Sequence, residues 1–312
     1  MIVNKKIVII AIILVILLSV FFYKLGSSKK QEIPQAAANK PLLVEEKRAN
    51  QTLKSIEGLT EQKAIHELDK ALEGTKNPDA RALLIYKKAE ILESQAKLSE
   101  ARDLYKNVLN DFPEARILQD AQNKFSQLSM KLLFSPVQTE DSMMYEVKSG
   151  DSLAKIAKNF STTVELIKKS NILQKDVIRP GQKLKITKGK FSVLVDKSQN
   201  ILILKKNDEV IKTYIVSTGL NGCTPVGNFT VVNKLVNPTW YKAGVVVPPT
   251  SPENILGTRW LGISIEGYGI HGTTEPENIG KAVTAGCVRM LKDDVEELYD
   301  VLPVGTEVTV ID

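Results

Sequence analysis

The spacing of apolar residues changes repeatedly along this sequence, and no single domain follows all of the spacings. From about Glu45 to Leu133 they recur at helical intervals, broken by glycine or proline at Gly58, Gly74, Pro78 and Pro113. Residues 145–187 read as strand, helix, helix, strand. From Phe191 onward the texture is short alternating runs, such as Phe191–Asp196 and Ile201–Lys205, separated by polar turns and many glycines, which is a β-pattern. One helix is expected there, near Asp293 to Leu302, before Pro303 and Gly305 lead into a last strand over Glu307–Ile311. A chain of 312 residues with 43% hydrophobic content has apolar material for two or three cores. The expected fold is therefore multidomain: an N-terminal transmembrane helix, an all-α region, a small βααβ module and a mainly-β C-terminal domain.

The N-terminal expectation rests on an apolar run from Ile7 to Tyr23, interrupted only by Ser19 and flanked by Lys5, Lys6, Lys24, Lys29 and Lys30. Its length is at the short end of what spans a bilayer. No small-x-small cleavage site follows closely, since Ala36-Ala37-Ala38 comes well after the run, and no lipidation cysteine is present. A retained anchor over residues 1–25 is expected, single-pass in the cell membrane, with the bulk of the chain on the extracytoplasmic side. Residues 26–44 mix Lys, Ser, Gln, Ala and two prolines without a period and read as a linker.

Charge narrows the function classes. The net +6 is unevenly spread: residues 144–189 carry ten Lys and Arg against four Asp and Glu, whereas residues 190–312 are net acidic. That pattern argues against a catalytic domain for nucleic acid and suits a small module that touches an anionic or polyhydroxylated matrix, with a merely solvated Lys-rich surface an equal reading. Two cysteines, Cys223 and Cys287, make no disulfide framework, and two histidines, His66 and His271, leave a zinc site almost without ligands. No metal and no other cofactor is expected.

In the helical region, 45–135, Ala89, Leu92, Ala101, Tyr105, Val108 and Pro113 fall where a 34-residue tetratricopeptide repeat sets its small, large and closing-proline positions. The region resembles that family over one clear repeat, and Ala64, Leu68 and Ala71 fit a second loosely. It reads as a helical spacer or as a docking surface for a partner protein. In the next module Asp151 is expected to cap a helix carrying Leu153, Ile156, Ala157 and Phe160 on one face. Thr162 with Glu165 is expected to form a capping box for the second helix, and Pro180-Gly181 to turn into the final strand. Over 144–188 this order, with its Gly-Asp-Ser-Leu start and its Asn171 and Pro180-Gly181-Gln182 landmarks, resembles the LysM module. The resemblance implies binding of peptidoglycan or chitin-like glycans through N-acetylglucosamine.

Two segments of the last domain carry chemistry: Tyr268–Thr273, containing His271, and Thr284–Met290, containing Cys287. A thiol is a poor nucleophile at its free pKa, and a nearby imidazole either accepts its proton or holds it as a thiolate–imidazolium pair. The ring needs an acceptor for its other nitrogen, for which Gly272 and its neighbours offer a main-chain carbonyl. Gly286 beside the cysteine permits an unusual backbone angle, so that the N–H groups of Gly286 and Cys287 are expected to face a developing oxyanion.

Over 190–312 these segments resemble the YkuD-type L,D-transpeptidase family. The match takes in His271-Gly272-Thr273, Gly280 and Gly286-Cys287-Val288-Arg289-Met290, and upstream Ser217-Thr218-Gly219 and Thr224-Pro225-Val226-Gly227-Asn228-Phe229. One departure stands out: where the family usually shows Ser-His-Gly-Cys, this chain has Thr284-Ala285-Gly286-Cys287. Thr284 keeps the hydroxyl, and His271 is left as the only imidazole. The resemblance implies a ping-pong reaction on peptidoglycan. Cys287 attacks the carbonyl of the third residue of a tetrapeptide stem, D-Ala leaves with a proton from His271, and an amine resolves the thioester into a 3→3 cross-link. It also implies that Arg289, with Thr273, contacts substrate, although an internal ion pair is an equal reading of Arg289. Water as acceptor gives an L,D-carboxypeptidase, a protein acceptor gives wall attachment, and a domain that no longer turns over leaves a glycan-binding scaffold. Cys223 reads either as an incidental loop thiol or as a reversible disulfide partner of Cys287.

Overall fold

A computed structural model describes residues 40–312 except Ala243. The expected membrane segment and residues 26–39 of the linker lie outside the described residues, among which no helix is long and apolar enough to cross a membrane. The first helix, α1 (Lys40–Ser55), begins five residues ahead of the expected helical start, inside the stretch read as linker. Its second residue is Pro41, which the first turn of a helix accepts because that N–H has no intrahelical acceptor. Composition alone reads such a turn as coil.

From Ala49 to Asp312 the chain is one compact unit. Four further helices, α2 (Glu61–Gly74), α3 (Pro78–Ser94), α4 (Leu98–Asp111) and α5 (Leu118–Leu133), pack in succession. Asn77 caps α3 by accepting from the Ala80 N–H at 3.0 Å, with Pro78 opening the helix. Ala89, Leu92, Ala101, Tyr105 and Val108 all join one buried cluster. The two alanines let helices approach, and Tyr105 fills the remaining space, its ring 5.2 Å from that of Tyr86 and its hydroxyl on Glu93.

The next module pairs β1 (Ser142–Glu146) antiparallel with β2 (Lys183–Thr187) and covers them with α6 (Leu153–Asn159) and α7 (Val164–Ser170). Arg179-Pro180-Gly181-Gln182 forms the expected turn, with Gly181 at φ +83°. Both expected caps are displaced by one residue. Ser152, not Asp151, caps α6 by accepting from the Lys155 N–H, while Asp151 accepts from the Lys148 N–H and the Tyr145 hydroxyl, each at 2.8 Å. Thr163, not Thr162, caps α7, accepting from the Leu166 N–H at 2.9 Å. Thr163 also donates to the carbonyl of Asp300, a partner 137 residues away that local sequence does not show.

The C-terminal domain is built on an eight-stranded sheet in the order β13-β11-β10-β7-β14-β3-β4-β5. Its strands are β3 (Phe191–Asp196), β4 (Ile201–Lys206), β5 (Glu209–Ile215), β7 (Gly227–Val236), β10 (Arg259–Ile263), β11 (Gly269–His271), β13 (Val288–Arg289) and β14 (Glu307–Ile311). The pairs β14–β3 and β11–β13 are parallel and the rest antiparallel. Helix α8 (Lys292–Val301) sits close to the expected position and buries Val295 and Leu298 in the core. Outside the large sheet, β6 (Thr218–Gly219) pairs with β12 (Ala282–Thr284), and β8 (Trp240–Lys242) with β9 (Val245–Val247) in a hairpin.

The three modules are not separate beads. Met130 and Leu133 of α5 and Leu166 of α7 belong to the same buried cluster as the large sheet. Lys185 on β2, 1% exposed, donates to the carbonyls of Leu132 and Ser135 at 2.7 and 2.8 Å, at the C-terminal end of α5 where a helix favours a cation. Burial, reinforced by the Arg102 charge, pulls its ammonium down to about 8. Lys206 pairs with Asp141, and Lys106 with Glu209 at 2.9 Å.

Candidate active site

In the parallel pair β11–β13, Ile270 lies opposite Val288 and His271 opposite Arg289. Ile270 and Val288 fill the core, and because side chains alternate along a strand, His271 and Arg289 take the other face. Cys287 lies in the bend that leads directly into β13, and its Sγ reaches the Gly267 carbonyl just ahead of β11. The β11–β13 pairing therefore sets the cysteine loop beside the strand that ends in His271.

The histidine is 2% exposed and its Nδ1 lies 2.7 Å from the Gly272 carbonyl. A carbonyl has no proton to give, so the neutral ring carries its hydrogen on Nδ1 and leaves Nε2 as the basic nitrogen. The Leu256 carbonyl packs against the same glycine, 3.3 Å from where a Cβ on Gly272 would stand. Trp260, directly opposite His271 in the β10–β11 pair, stacks on the imidazole with centroids 5.9 Å apart and planes at 22°. The Trp260 Nε1 donates to Asn233, and its ring fills the space that a side chain at Gly269 would need, at 2.7 Å. Burial lowers the imidazole to about 4, further lowered by Arg289 and opposed by the two carbonyls.

Cys287 is half-buried, and burial pushes its thiol up, against a hydrogen bond from the Gly269 main chain and the Arg289 charge, which pull it down. Its Sγ donates to the Gly267 carbonyl at 3.6 Å, and no hydrogen bond joins it to the imidazole. With the thiol pushed up and the imidazole pushed down, mainly by burial, both groups rest neutral. A neutral thiol and a neutral imidazole can react by general-base transfer as the nucleophile attacks, and catalytic contacts that are long in a free enzyme commonly tighten on substrate.

The loop before the cysteine is knotted by Thr284. Its hydroxyl accepts from the Gly286 N–H at 3.1 Å and donates to the Cys287 carbonyl at 2.6 Å. The expected use of the Gly286 N–H toward an oxyanion is therefore corrected: Thr284 occupies that donor, and the Cys287 N–H is the one left of the two. Gly286 has φ +127°, and a Cβ there would meet the Tyr268 ring at 2.5 Å, so glycine serves conformation and packing together.

Arg289 is buried and its Nη1 donates to Glu275 at 2.8 Å, while Nε has no partner. The internal ion pair is thus present. The Thr273 hydroxyl accepts from the Glu275 N–H at 2.9 Å and so is turned into its own loop. Ser217 exchanges both main-chain hydrogen bonds with Arg289, and the Gly219 N–H donates to the Thr224 hydroxyl, so the upstream motifs form the floor beneath the cysteine loop. Cys223 is exposed with its Sγ 3.7 Å from the Thr284 carbonyl, and both cysteines are free thiols. Sequence reasoning missed Trp260, Tyr268, Glu275 and Leu256; the signal for Trp260 was Gly269, the residue whose missing side chain makes room for its ring.

The fold and site define a class: a mainly-β domain with His271 at the end of one strand and Cys287 in the loop entering the parallel strand beside it, joined to a βααβ module. Residues 190–310 match the L,D-transpeptidase catalytic domain family YkuD, and residues 145–187 match the LysM domain. The chain is 34% identical over 176 residues to the putative L,D-transpeptidase YkuD of Bacillus licheniformis, covering 54% of this chain and 98% of that protein. It is 40% identical over 126 residues to the putative L,D-transpeptidase YqjB of Bacillus subtilis, covering 38% of this chain and 70% of that one. Among solved structures it is similar to an L,D-transpeptidase from Mycobacterium smegmatis, with 21% identity, a TM-score of 0.33, and coverage of 42% of this chain and 64% of that one. This chain belongs to the YkuD-type L,D-transpeptidase family.

Proposed function

We propose that this chain is a peptidoglycan L,D-transpeptidase with Cys287 as nucleophile and Nε2 of His271 as general base. The observation that carries the reading is that Cys287 leads directly into β13, the strand beside β11, with its Sγ on the Gly267 carbonyl just ahead of β11, while His271 ends β11 with Nδ1 of its ring fixed on the Gly272 carbonyl. Sγ attacks the carbonyl carbon of the third stem residue while Nε2 takes the thiol proton. Collapse of the tetrahedral intermediate breaks the bond to D-Ala, whose amine leaves with that proton, and a thioester remains. The Cys287 N–H is the donor we assign to the oxyanion. A side-chain amine of a second stem then attacks the thioester, gives its proton to His271 and frees the thiol, forming a 3→3 cross-link.

The LysM module holds the glycan through N-acetylglucosamine in this reading, and the welded junction keeps it at a fixed disposition to the cysteine. Residues 1–25 anchor the chain in the cell membrane with the catalytic domain on the wall side. The tetratricopeptide-like positions of the helical region support a protein partner docking there. Arg289 is assigned to a substrate carboxylate through its unpartnered Nε while Nη1 keeps Glu275.

Residues 40–312 incubated with tetrapeptide muropeptides, beside Cys287→Ala, test the reading by mass spectrometry of the products. Loss of D-Ala with dimers in the wild type alone supports it. Loss of D-Ala without dimers makes the enzyme an L,D-carboxypeptidase, and no turnover leaves the glycan-binding scaffold.

A further inference from the structure

Asn254 lies outside the sheet and outside every motif in the sequence, yet it is 3% exposed and both ends of its carboxamide are hydrogen-bonded. Its Nδ2 donates to the carbonyls of Pro238, Val247 and Pro248 at 2.9, 3.3 and 3.2 Å, and its Oδ1 accepts from the Leu256 N–H at 3.0 Å. Pro238 precedes β8, Val247 ends β9 and Pro248 follows it. One carboxamide therefore clasps both feet of the β8–β9 hairpin, which presents Tyr241, Val245 and Val246 to solvent at 75%, 58% and 62% exposure. Its other end fixes Leu256, whose carbonyl stands 3.3 Å from where a Cβ on Gly272 would be, next to the carbonyl that holds the His271 ring. The contact continues at Gly257, where an added Cβ would stand 3.0 Å from Gly272 and from the Thr273 nitrogen. No other described side chain bonds both to the hairpin's feet and to the segment supporting the imidazole.

We infer that Asn254 is a positioning residue that sets the hairpin with its amide nitrogen and the histidine, through Leu256, with its amide oxygen. The inference rests on the reading of His271 as the base. A buried amide bonded through both its nitrogen and its oxygen has little freedom to turn, so hairpin and base are held in register with each other. The hairpin, with its exposed apolar side chains, then faces substrate on a foundation shared with the base.

The two ends of the carboxamide are separable. Asn254→Asp keeps an acceptor for Leu256 and loses the amide donors, whereas Asn254→Ala loses both. In residues 40–312, Asn254→Asp is expected to raise KM about fivefold or more with kcat within about twofold, and Asn254→Ala to lower kcat about tenfold in addition. The second readout needs no turnover. With only two histidines in the chain, imidazole ¹⁵N spectra in a His66→Gln background report His271 alone. They should keep the Nδ1–H pattern in Asn254→Asp and lose it to exchange between tautomers in Asn254→Ala. Equal kinetic losses in both variants with unchanged imidazole signals overturn the inference and leave Asn254 a purely structural residue. If wild type turns nothing over, the transpeptidase reading fails while the spectra still decide the link to His271. If neither Asn254 variant folds, Gly257→Ala pushes on the same link from the far end. Imidazole signals identical to wild type in that variant then overturn the inference.

Discussion

Protonating His271 in the folded protein should cost stability in a defined acid window. The ring is wholly buried and titrates at about 4, against an ordinary 6.5 in an unfolded chain. The unfolded state therefore binds the proton first as pH falls, and unfolding is favoured progressively from about 6.5 down to about 4. Below that both states hold the proton and the loss levels off. At roughly 1.4 kcal/mol per unit, the full effect is about 3 kcal/mol. The assay is urea unfolding of residues 40–312 at a series of pH values, followed by tryptophan fluorescence. Both tryptophans, Trp240 and Trp260, lie in the catalytic domain, and Trp260 stacks on the ring in question. Subtracting the same series for His271→Gln removes the carboxylates and lysines common to both proteins. The difference between wild type and variant should change by about 3 kcal/mol between pH 7 and pH 4, against wild type in acid. Parallel lines across that range would refute the reasoning, because a ring that costs nothing to protonate is neither desolvated nor held neutral by its neighbours.

Three further predictions concern the cysteine loop. Iodoacetamide should alkylate Cys287 with a rate that keeps climbing above the ordinary thiol range, since burial raises that thiol; a plateau at neutral pH would indicate a preformed thiolate. Gly286→Ala places a methyl 2.5 Å from the Tyr268 ring at φ +127° and should destabilise the domain by about 2 kcal/mol or more, read as a fall in the urea midpoint. Thr284→Val removes both hydrogen bonds that knot the loop, at about 1–3 kcal/mol, and should slow acylation, whereas Thr284→Ser keeps the hydroxyl and should retain most of the rate.

How much of this was legible beforehand differed by element. The last helix and strand were readable because Pro303 and Gly305 punctuate them, and β14 covers the expected span Glu307–Ile311. The caps were readable only to within a residue. Asp151 and Ser152 both cap well, as do Thr162 and Thr163, and the choice falls to the Tyr145 hydroxyl and the Asp300 carbonyl, which are tertiary partners. Cys287 and His271 stood out through the glycines around them. Their supports did not. Trp260 reaches the imidazole only because β10 lies beside β11, and Asn254 bonds to the main-chain N–H of Leu256 and to main-chain carbonyls rather than to the site's side chains, so its residue type carries no trace of the role. The Arg289–Glu275 pair closes a loop whose path depends on the strand order, which a single sequence does not give.

A thioester on Cys287 is the step on which the transpeptidase reading stands, and it is accessible to intact-mass spectrometry of residues 40–312 with a tetrapeptide stem, quenched in acid within the first turnover. The expected product is an adduct of the stem tripeptide, the tetrapeptide less D-Ala, mapped to the peptide that carries Cys287 and absent in Cys287→Ala. An adduct on Cys223 instead, or D-Ala released by the Cys287→Ala variant, would contradict it.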